Sequence, residues 1–251
     1  MGKFSGVLLC SDFDGTLAHA GGVSDANQEA IRYFVANGGR FTLATGRFPN
    51  VLEDKGLPNL NNAPIIAMNG TLLYDTEQKK ILRCGTLTEA FTDPLLRFCR
   101  EADGLVDVSI YPSDCWEIVK TASDQETQII QTMHRKPYKV VFRVERDRSD
   151  TLKEQLMQIC GDGYAVARSW VTGIEVQDAA YDKGKTARYL ADLLGVDTLI
   201  CVGDYENDLA MIREADLGVA MDNAVEVLKQ AADRITASVN EDGVAQLIYS
   251  L

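Results

Sequence analysis

The chain has 251 residues, enough for one large domain or two of modest size, and its 46% hydrophobic and 25% charged content excludes collagen-like, low-complexity and extensively disordered chains. Against 25 basic residues stand 37 acidic ones, a net charge of −12 that sets the surface against nucleic-acid backbones and anionic membranes, and no run of Lys and Arg offers a basic patch. Six scattered cysteines without a C-x-x-C pair are expected to be reduced thiols, two histidines leave little for a His-based metal site, and the apolar run Gly6–Cys10 is too short for a signal-peptide core. The expectation is a cytoplasmic protein, a monomer or weak homo-oligomer, with no nucleic-acid or membrane partner.

Val7–Cys10 is a short apolar run, as expected of a strand buried on both faces. Ser24 is the expected N-cap of a helix, with Gln28 as its capping-box partner. Ala30, Ile31, Phe34 and Val35 fall at helical spacing, and Gly38-Gly39 ends the helix. Phe41–Thr45 and Ile65–Met68 read as second and third strands, the third closed by the turn signal Asn69-Gly70. This alternation predicts an α/β fold with a parallel sheet and helices on both faces.

From about Arg83 to Asp182 the rhythm changes. Val106–Tyr111 and Trp116–Val119 flank the turn Pro112-Ser113-Asp114; Asp124–Met133 and Leu152–Ile159 read as helices; Val140–Val144, Tyr164–Arg168 and Ile174–Val176 read as strands. Such a set predicts an α+β module inserted into the α/β domain. The α/β rhythm then returns, with a helix capped by Asp182 and closed by Gly195, a strand Thr198–Val202, a helix from about Glu206 to Ala215, and strands at Leu217–Ala220 and Arg234–Thr236.

The residues that carry chemistry sit where these strands end. Asp12 and Asp14 follow the first strand two positions apart, so on an extended chain both point one way. The bland alternative is a solvated acidic turn closed by Gly15. Thr45 ends the second strand and opens a helix, and Gly46 lets backbone N–H groups approach an anion, though Thr45 alone could be an N-cap. Lys183 is expected in the first turn of a helix, where the macrodipole disfavours a cation, so stability alone would not place it there. Asp204, Asn207 and Asp208, at i, i+3 and i+4, can share one helical face. Four carboxylates converging on one crevice repel, by about 4 kcal/mol per pair ~4 Å apart at an effective dielectric near 20, and so call for a cation. An all-oxygen set favours Mg²⁺ over zinc. Gly184-Lys185-Thr186 looks like the end of a phosphate-binding loop, but Ala179 stands where that loop needs Gly. Trp116 and Trp170 could stack on a ligand but read as core residues, and His19 could line the entrance but reads as a solvated loop residue.

Taken in order, Asp12-Phe13-Asp14-Gly15-Thr16, Thr45-Gly46-Arg47, Lys183-Gly184 and Gly203-Asp204-Tyr205-Glu206-Asn207-Asp208 resemble the four motifs of the haloacid dehalogenase-like hydrolases. Met68-Asn69-Gly70 and Gly218–Ala224 resemble signatures of the Cof-type subfamily, whose members carry a class IIB cap. The resemblance implies a Rossmann-like core from residues 1–82 and 183–251 and an inserted α+β cap at 83–182 that selects the substrate. It also implies that Asp12 is a nucleophile forming an aspartyl-phosphate. Asp14 would serve as acid and then base, and Thr45 and Lys183 would bind the phosphoryl group. Mg²⁺ would be held by the Asp12 carboxylate, the Asp14 backbone carbonyl and Asp204, supported by Asp208. Gly46, Arg47, Asn69 and Asn207 complete the implied substrate-binding set. Family members that cleave carbon–halogen bonds lack an acid two residues after the nucleophile, so Asp14 points to a phosphatase acting on a small phosphorylated metabolite such as a sugar phosphate. A phosphomutase, with a second phosphate held by Arg143, Arg146 and Arg168, and a non-catalytic phosphate-ligand binding protein are the alternatives.

Overall fold

The computed structural model describes residues 2–20, 22–53 and 60–251. The chain divides into two compact units, one of Met1–Arg83 with Asp182–Leu251 and one of Cys84–Tyr181. In chain order the first unit begins with β1 (Val7–Ser11), β2 (Ala18–His19), β3 (Gly22–Val23), α1 (Asp25–Ala36), β4 (Arg40–Leu43), α2 (Pro49–Glu53), β5 (Ile65–Ala67), β6 (Leu72–Asp75) and β7 (Lys80–Cys84). The second unit holds α3 (Thr92–Glu101), β8 (Leu105–Tyr111), β9 (Val119–Thr121), α4 (Glu126–Met133), β10 (Lys139–Val144), α5 (Ser149–Cys160), β11 (Tyr164–Trp170) and β12 (Gly173–Asp178). The chain then returns through α6 (Lys183–Leu194), β13 (Thr198–Gly203), α7 (Leu209–Glu214), β14 (Leu217–Met221), α8 (Glu226–Ala231), β15 (Arg234–Thr236) and α9 (Gly243–Ser250).

The first unit is built on a five-stranded sheet in the order β15-β14-β13-β1-β4, parallel throughout. Leu8, Leu9 and Cys10 of β1 and Leu199, Cys201 and Val202 of β13 are buried, as central strands covered on both faces require. Each such aliphatic side chain contributes roughly 1.5–3 kcal/mol by leaving water. Helix α1 packs Ala30, Ile31 and Phe34 inward, and its buried Asn27 ties it to α9 by accepting from the Ala245 N–H.

Three expectations change in this unit. Ser24 caps α1 by accepting from the Asn27 N–H, but Gln28 lies one residue too far along to close a capping box, and its amide donates to the Val23 carbonyl instead. Ile65–Ala67 is not a full member of the parallel sheet. It meets that sheet through a single bridge, Ala44 to Ile66, and pairs antiparallel with β6, because Asn69 (φ 56°) and Gly70 (φ 97°) turn the chain straight back. Between β4 and α2 the chain is irregular, so Thr45 opens no helix; its hydroxyl accepts from the Arg47 N–H two residues on.

The second unit is a five-stranded antiparallel sheet, β11-β12-β10-β8-β9, with helices on one face. Val108, Ile110, Val140, Phe142, Ile174 and Val176 form its core together with Leu95, Phe98 and Cys99 of α3, a helix that the sequence reading passed over. The opposite sheet face carries Lys139 and Glu175, a buried ion pair at 2.6 Å. Arg143 lies on that same face with Asp107, whereas Arg168 lies in register with Ile174 on the helix face and pairs with Asp150, and Arg146 sits in an exposed turn. These three arginines therefore do not form one phosphate site. Trp170 is not a core residue: it is 43% exposed and its ring lies over Gly173. All six cysteines are free, and no helix among the described residues is long and apolar enough to cross a membrane.

Candidate active site

Parallel strands place their C-terminal ends on one edge, and Asp12 and Asp204 stand there. Asp12 extends β1 by one residue, its N–H donating to the Val202 carbonyl of β13, and is 6% exposed. Asp204 directly follows the last residue of β13. Lys183 opens α6, whose N-cap Asp182 accepts from the Lys185 N–H at 2.8 Å.

The Lys183 ammonium is fully buried and donates to Asp12 Oδ1 and Asp208 Oδ1, both at 2.6 Å. The second oxygen of Asp208 accepts from the N–H groups of Asp204 (3.0 Å) and Tyr205 (3.2 Å), so one carboxylate shapes the loop and anchors the lysine. Thr16 Oγ1 donates to Asp204 Oδ1 at 2.8 Å. Oxygens of Asp12, Asp204 and Asp208 lie within 4.8 Å of one another. The two carboxylates on Lys183 explain how a cation survives at a helix N-terminus.

One ammonium among three carboxylates leaves an excess of negative charge. Burial, then the Asp208 carboxylate, push the Asp12 carboxyl well above the usual range, with Lys183 opposing. Asp204 is pushed up to about 7, by burial first and Asp208 second, against the Thr16 hydrogen bond. Burial alone would lower Lys183, but the charges of Asp12 and Asp208 and their hydrogen bonds hold it above its ordinary value. A cluster that crowds carboxyl groups until their ionised forms are disfavoured, with oxygen donors only, fits a hard divalent cation.

The other expected site residues divide. Asp14 lies outside the three-carboxylate group and is forked by Arg47. Thr45 is buried beneath the edge, while Gly46 is half-buried. Asn69 is also buried, and its side-chain oxygen accepts from the Asn207 amide at 3.2 Å, so these two hold each other. Motif residues to which the sequence assigns no role brace the site. Asn223 donates to the Gly15 carbonyl at 2.8 Å, and a Cβ on Gly15 would stand 2.5 Å from Asp204 Oδ2. The signal for Thr16 was present in the first motif, since a hydroxyl two residues past Asp14 can reach across the strand ends.

The edge of the parallel sheet thus gathers Asp12, Asp204 and Asp208 around the buried Lys183 ammonium. A model of the haloacid dehalogenase-like hydrolases matches residues 9–248, and the chain belongs to that family. A curated relative, the 5-amino-6-(5-phospho-D-ribitylamino)uracil phosphatase YwtE of Bacillus subtilis, is 30% identical across 97% of each chain. A solved haloacid dehalogenase-like hydrolase from Bacteroides thetaiotaomicron is 25% identical over 99% of each chain with a TM-score of 0.75. A solved subclass IIB sugar phosphatase, at 21% identity, shares the fold over 97% of this chain and 98% of its own with a TM-score of 0.80.

Proposed function

We propose that this member of a phosphatase family is a Mg²⁺-dependent phosphatase that hydrolyses a small phosphomonoester through an aspartyl-phosphate on Asp12. The observation that carries the reading is the buried Asp12 carboxylate, held at 2.6 Å by Lys183 within reach of Asp204 and Asp208. Asp12 is the nucleophile, and Lys183 both aims it and offsets the charge of an arriving phosphate dianion. Thr45 and Lys183 bind the phosphoryl group. Asp14 protonates the leaving oxygen and later takes a proton from the water that hydrolyses the intermediate. Asp12, Asp204 and Asp208, with the backbone carbonyl of Asp14, are the groups that would hold Mg²⁺, which when bound neutralises charge on the phosphoryl oxygens. The inserted unit Cys84–Tyr181 selects the leaving group. The names of the relatives support phosphate-ester substrates of metabolite size, sugar phosphates among them.

The test is release of inorganic phosphate from p-nitrophenyl phosphate and from a panel of sugar, nucleotide and cofactor phosphates, with Mg²⁺ or with EDTA. Turnover with Mg²⁺ that EDTA removes and Asp12→Asn abolishes is the expected result. Phosphate migration within a substrate without release would instead mark a phosphomutase, and binding without turnover a non-catalytic protein.

A further inference from the structure

Arg47 enters from the sequence as a substrate-binding group beside Thr45 and Gly46, yet its guanidinium is committed elsewhere. Its Nε donates to Asp14 Oδ2 and its Nη2 to Asp14 Oδ1, both at 2.7 Å. A planar fork of this kind fixes a carboxylate in both plane and direction, which a point-like ammonium cannot do. The arm that carries it is anchored: the Arg47 N–H donates to Thr45 Oγ1 at 3.2 Å, its carbonyl accepts from the Met68 N–H at 3.3 Å, and its guanidinium lies 5.6 Å from the centre of the buried Phe13 ring. Asp14 is anchored too, because the Gly15 N–H donates to the Ala18 carbonyl and Asp14 bridges to Ala18. Both side chains line a cavity of about 820 Å³ together with Phe13, His19, Val23 and Asn240.

We propose that Arg47 is the positioning residue of Asp14, fixing the carboxyl in the plane and direction from which the leaving oxygen of the substrate is protonated. The inference rests on the phosphatase reading and assigns Arg47 to the leaving group's side of the reaction. In the first half, an Asp12 oxygen bonds to phosphorus, the bond from phosphorus to the leaving oxygen breaks, and that oxygen keeps the electron pair and takes the Asp14 proton. In the second half, water bonds to phosphorus and gives a proton to Asp14, and the bond from phosphorus to Asp12 breaks, which restores both carboxyl groups and releases phosphate. Arg47 touches neither phosphorus nor the leaving oxygen; it sets where Asp14 stands.

The experiment compares Arg47→Ala, Arg47→Lys, Asp14→Ala and the double variant Asp14→Ala/Arg47→Ala on phenyl phosphate and p-nitrophenyl phosphate, whose leaving groups differ in their need for a proton. General acid catalysis is worth about 10²–10⁴-fold, so Arg47→Ala is expected to lower kcat on phenyl phosphate by about 10²-fold, with a loss below about tenfold on p-nitrophenyl phosphate and KM changed less than about threefold. Arg47→Lys should recover only part of the loss, and added guanidinium should restore part of the Arg47→Ala activity. In the Asp14→Ala background, removing Arg47 should change kcat by less than about twofold, because residues acting as a unit are not additive. A raised KM at constant kcat, an equal loss on both substrates, or the full loss repeated without Asp14 would overturn the assignment and return Arg47 to phosphate binding. No turnover by the unmodified protein on either ester would overturn the phosphatase reading itself, and this assignment with it.

Discussion

Lys183 is the first residue of α6, yet its ammonium is fully buried and stands 2.6 Å from the Asp12 carboxylate. The pair explains why each residue tolerates its place. The lysine offsets the charge of a buried carboxylate, and the carboxylate offsets the dipole of the helix end. Replacing Asp12 by Asn removes the proposed nucleophile but also relieves crowding among three carboxylates. Turnover should fall on the order of 10⁴-fold or more, while the thermal midpoint in metal-free buffer holds or rises. Phosphate release and a melting curve on the same preparation check both halves, and retained turnover would exclude Asp12 as nucleophile.

The opposite charge change should have the opposite effect. Lys183→Met leaves Asp12 and Asp208 buried without their cation, and breaking a buried pair from one side costs about 3–5 kcal/mol. Urea unfolding without metal should show that loss, and Mg²⁺ should recover part of it, since a ligand that binds only the folded state stabilises it. Turnover should fall on every substrate alike. A loss below about 1 kcal/mol, outside that range, would mean that Lys183 does not balance the cluster.

The placement of Lys183 depends on a glycine in another segment. A Cβ on Gly70 would stand 2.2 Å from the Asp182 carbonyl carbon and oxygen, and Thr186 Oγ1 donates to the Gly70 carbonyl at 2.7 Å. With φ at +97° as well, Gly70→Ala should cost about 2 kcal/mol or more and depress turnover, although it changes no charge. Gly195 is the control. It has φ +62° and nothing within 4 Å of its Cβ position, so Gly195→Ala should cost about 1 kcal/mol and leave turnover intact. Equal effects of the two variants on turnover would mean that the contact at Asp182 does not position the lysine.

What the sequence disclosed follows from the range of the interactions involved. Strands buried on both faces appear as unbroken apolar runs, so β1 and β13 were legible, and caps such as Asp182 and Gly195 act within a turn of their own helix. Asn69-Gly70 signals the turn of the hairpin β5–β6, but Ile65–Ala67 is apolar enough for a strand of the parallel sheet, so the antiparallel partner Leu72–Asp75 is not read from sequence. Helix α3 was missed although Leu95, Leu96, Phe98 and Cys99 mark one face. The partner of a contact across the fold, such as Asp14 for Arg47, has no local signature, whereas Thr16 at least stands in the first motif. The family resemblance gives Arg47 as a substrate-binding residue and does not disclose its pairing with Asp14.

In the second unit, Lys139 and Glu175 are 2% and 4% exposed and lie on neighbouring strands β10 and β12. The ammonium also stands 4.9 Å from the centre of the Tyr111 ring. Desolvating both charges is costly, so the pair adds little net stability, but either charge alone is far worse. Glu175→Gln should destabilise the protein by about 3–5 kcal/mol, and the double change Lys139→Met/Glu175→Leu should recover most of that in urea unfolding. If the double variant is no more stable than Glu175→Gln, the pair contributes packing that hydrophobic residues cannot replace.

Cys84–Tyr181 has its own core, with Phe98, Phe142, Val140 and Ile174 buried on one sheet face, and its two ends meet: a Cβ on Gly85 would stand 2.2 Å from the Tyr181 ring. A segment with its own core and adjacent ends can be exchanged as a block, because few contacts within either unit depend on the junctions. The proposed chemistry rests on Asp12, Lys183, Asp204 and Asp208 of the other unit, so the exchange should leave the proposed aspartyl-phosphate step intact and change only which leaving groups are accepted. Replacing Cys84–Tyr181 by the corresponding segment of a relative should therefore keep turnover of p-nitrophenyl phosphate within about tenfold, the discrimination typical of one or two hydrophobic contacts, while the ranking of kcat/KM across sugar phosphates follows the donor. A folded chimera that kept the parental ranking would assign selectivity to Met1–Arg83 and Asp182–Leu251 instead.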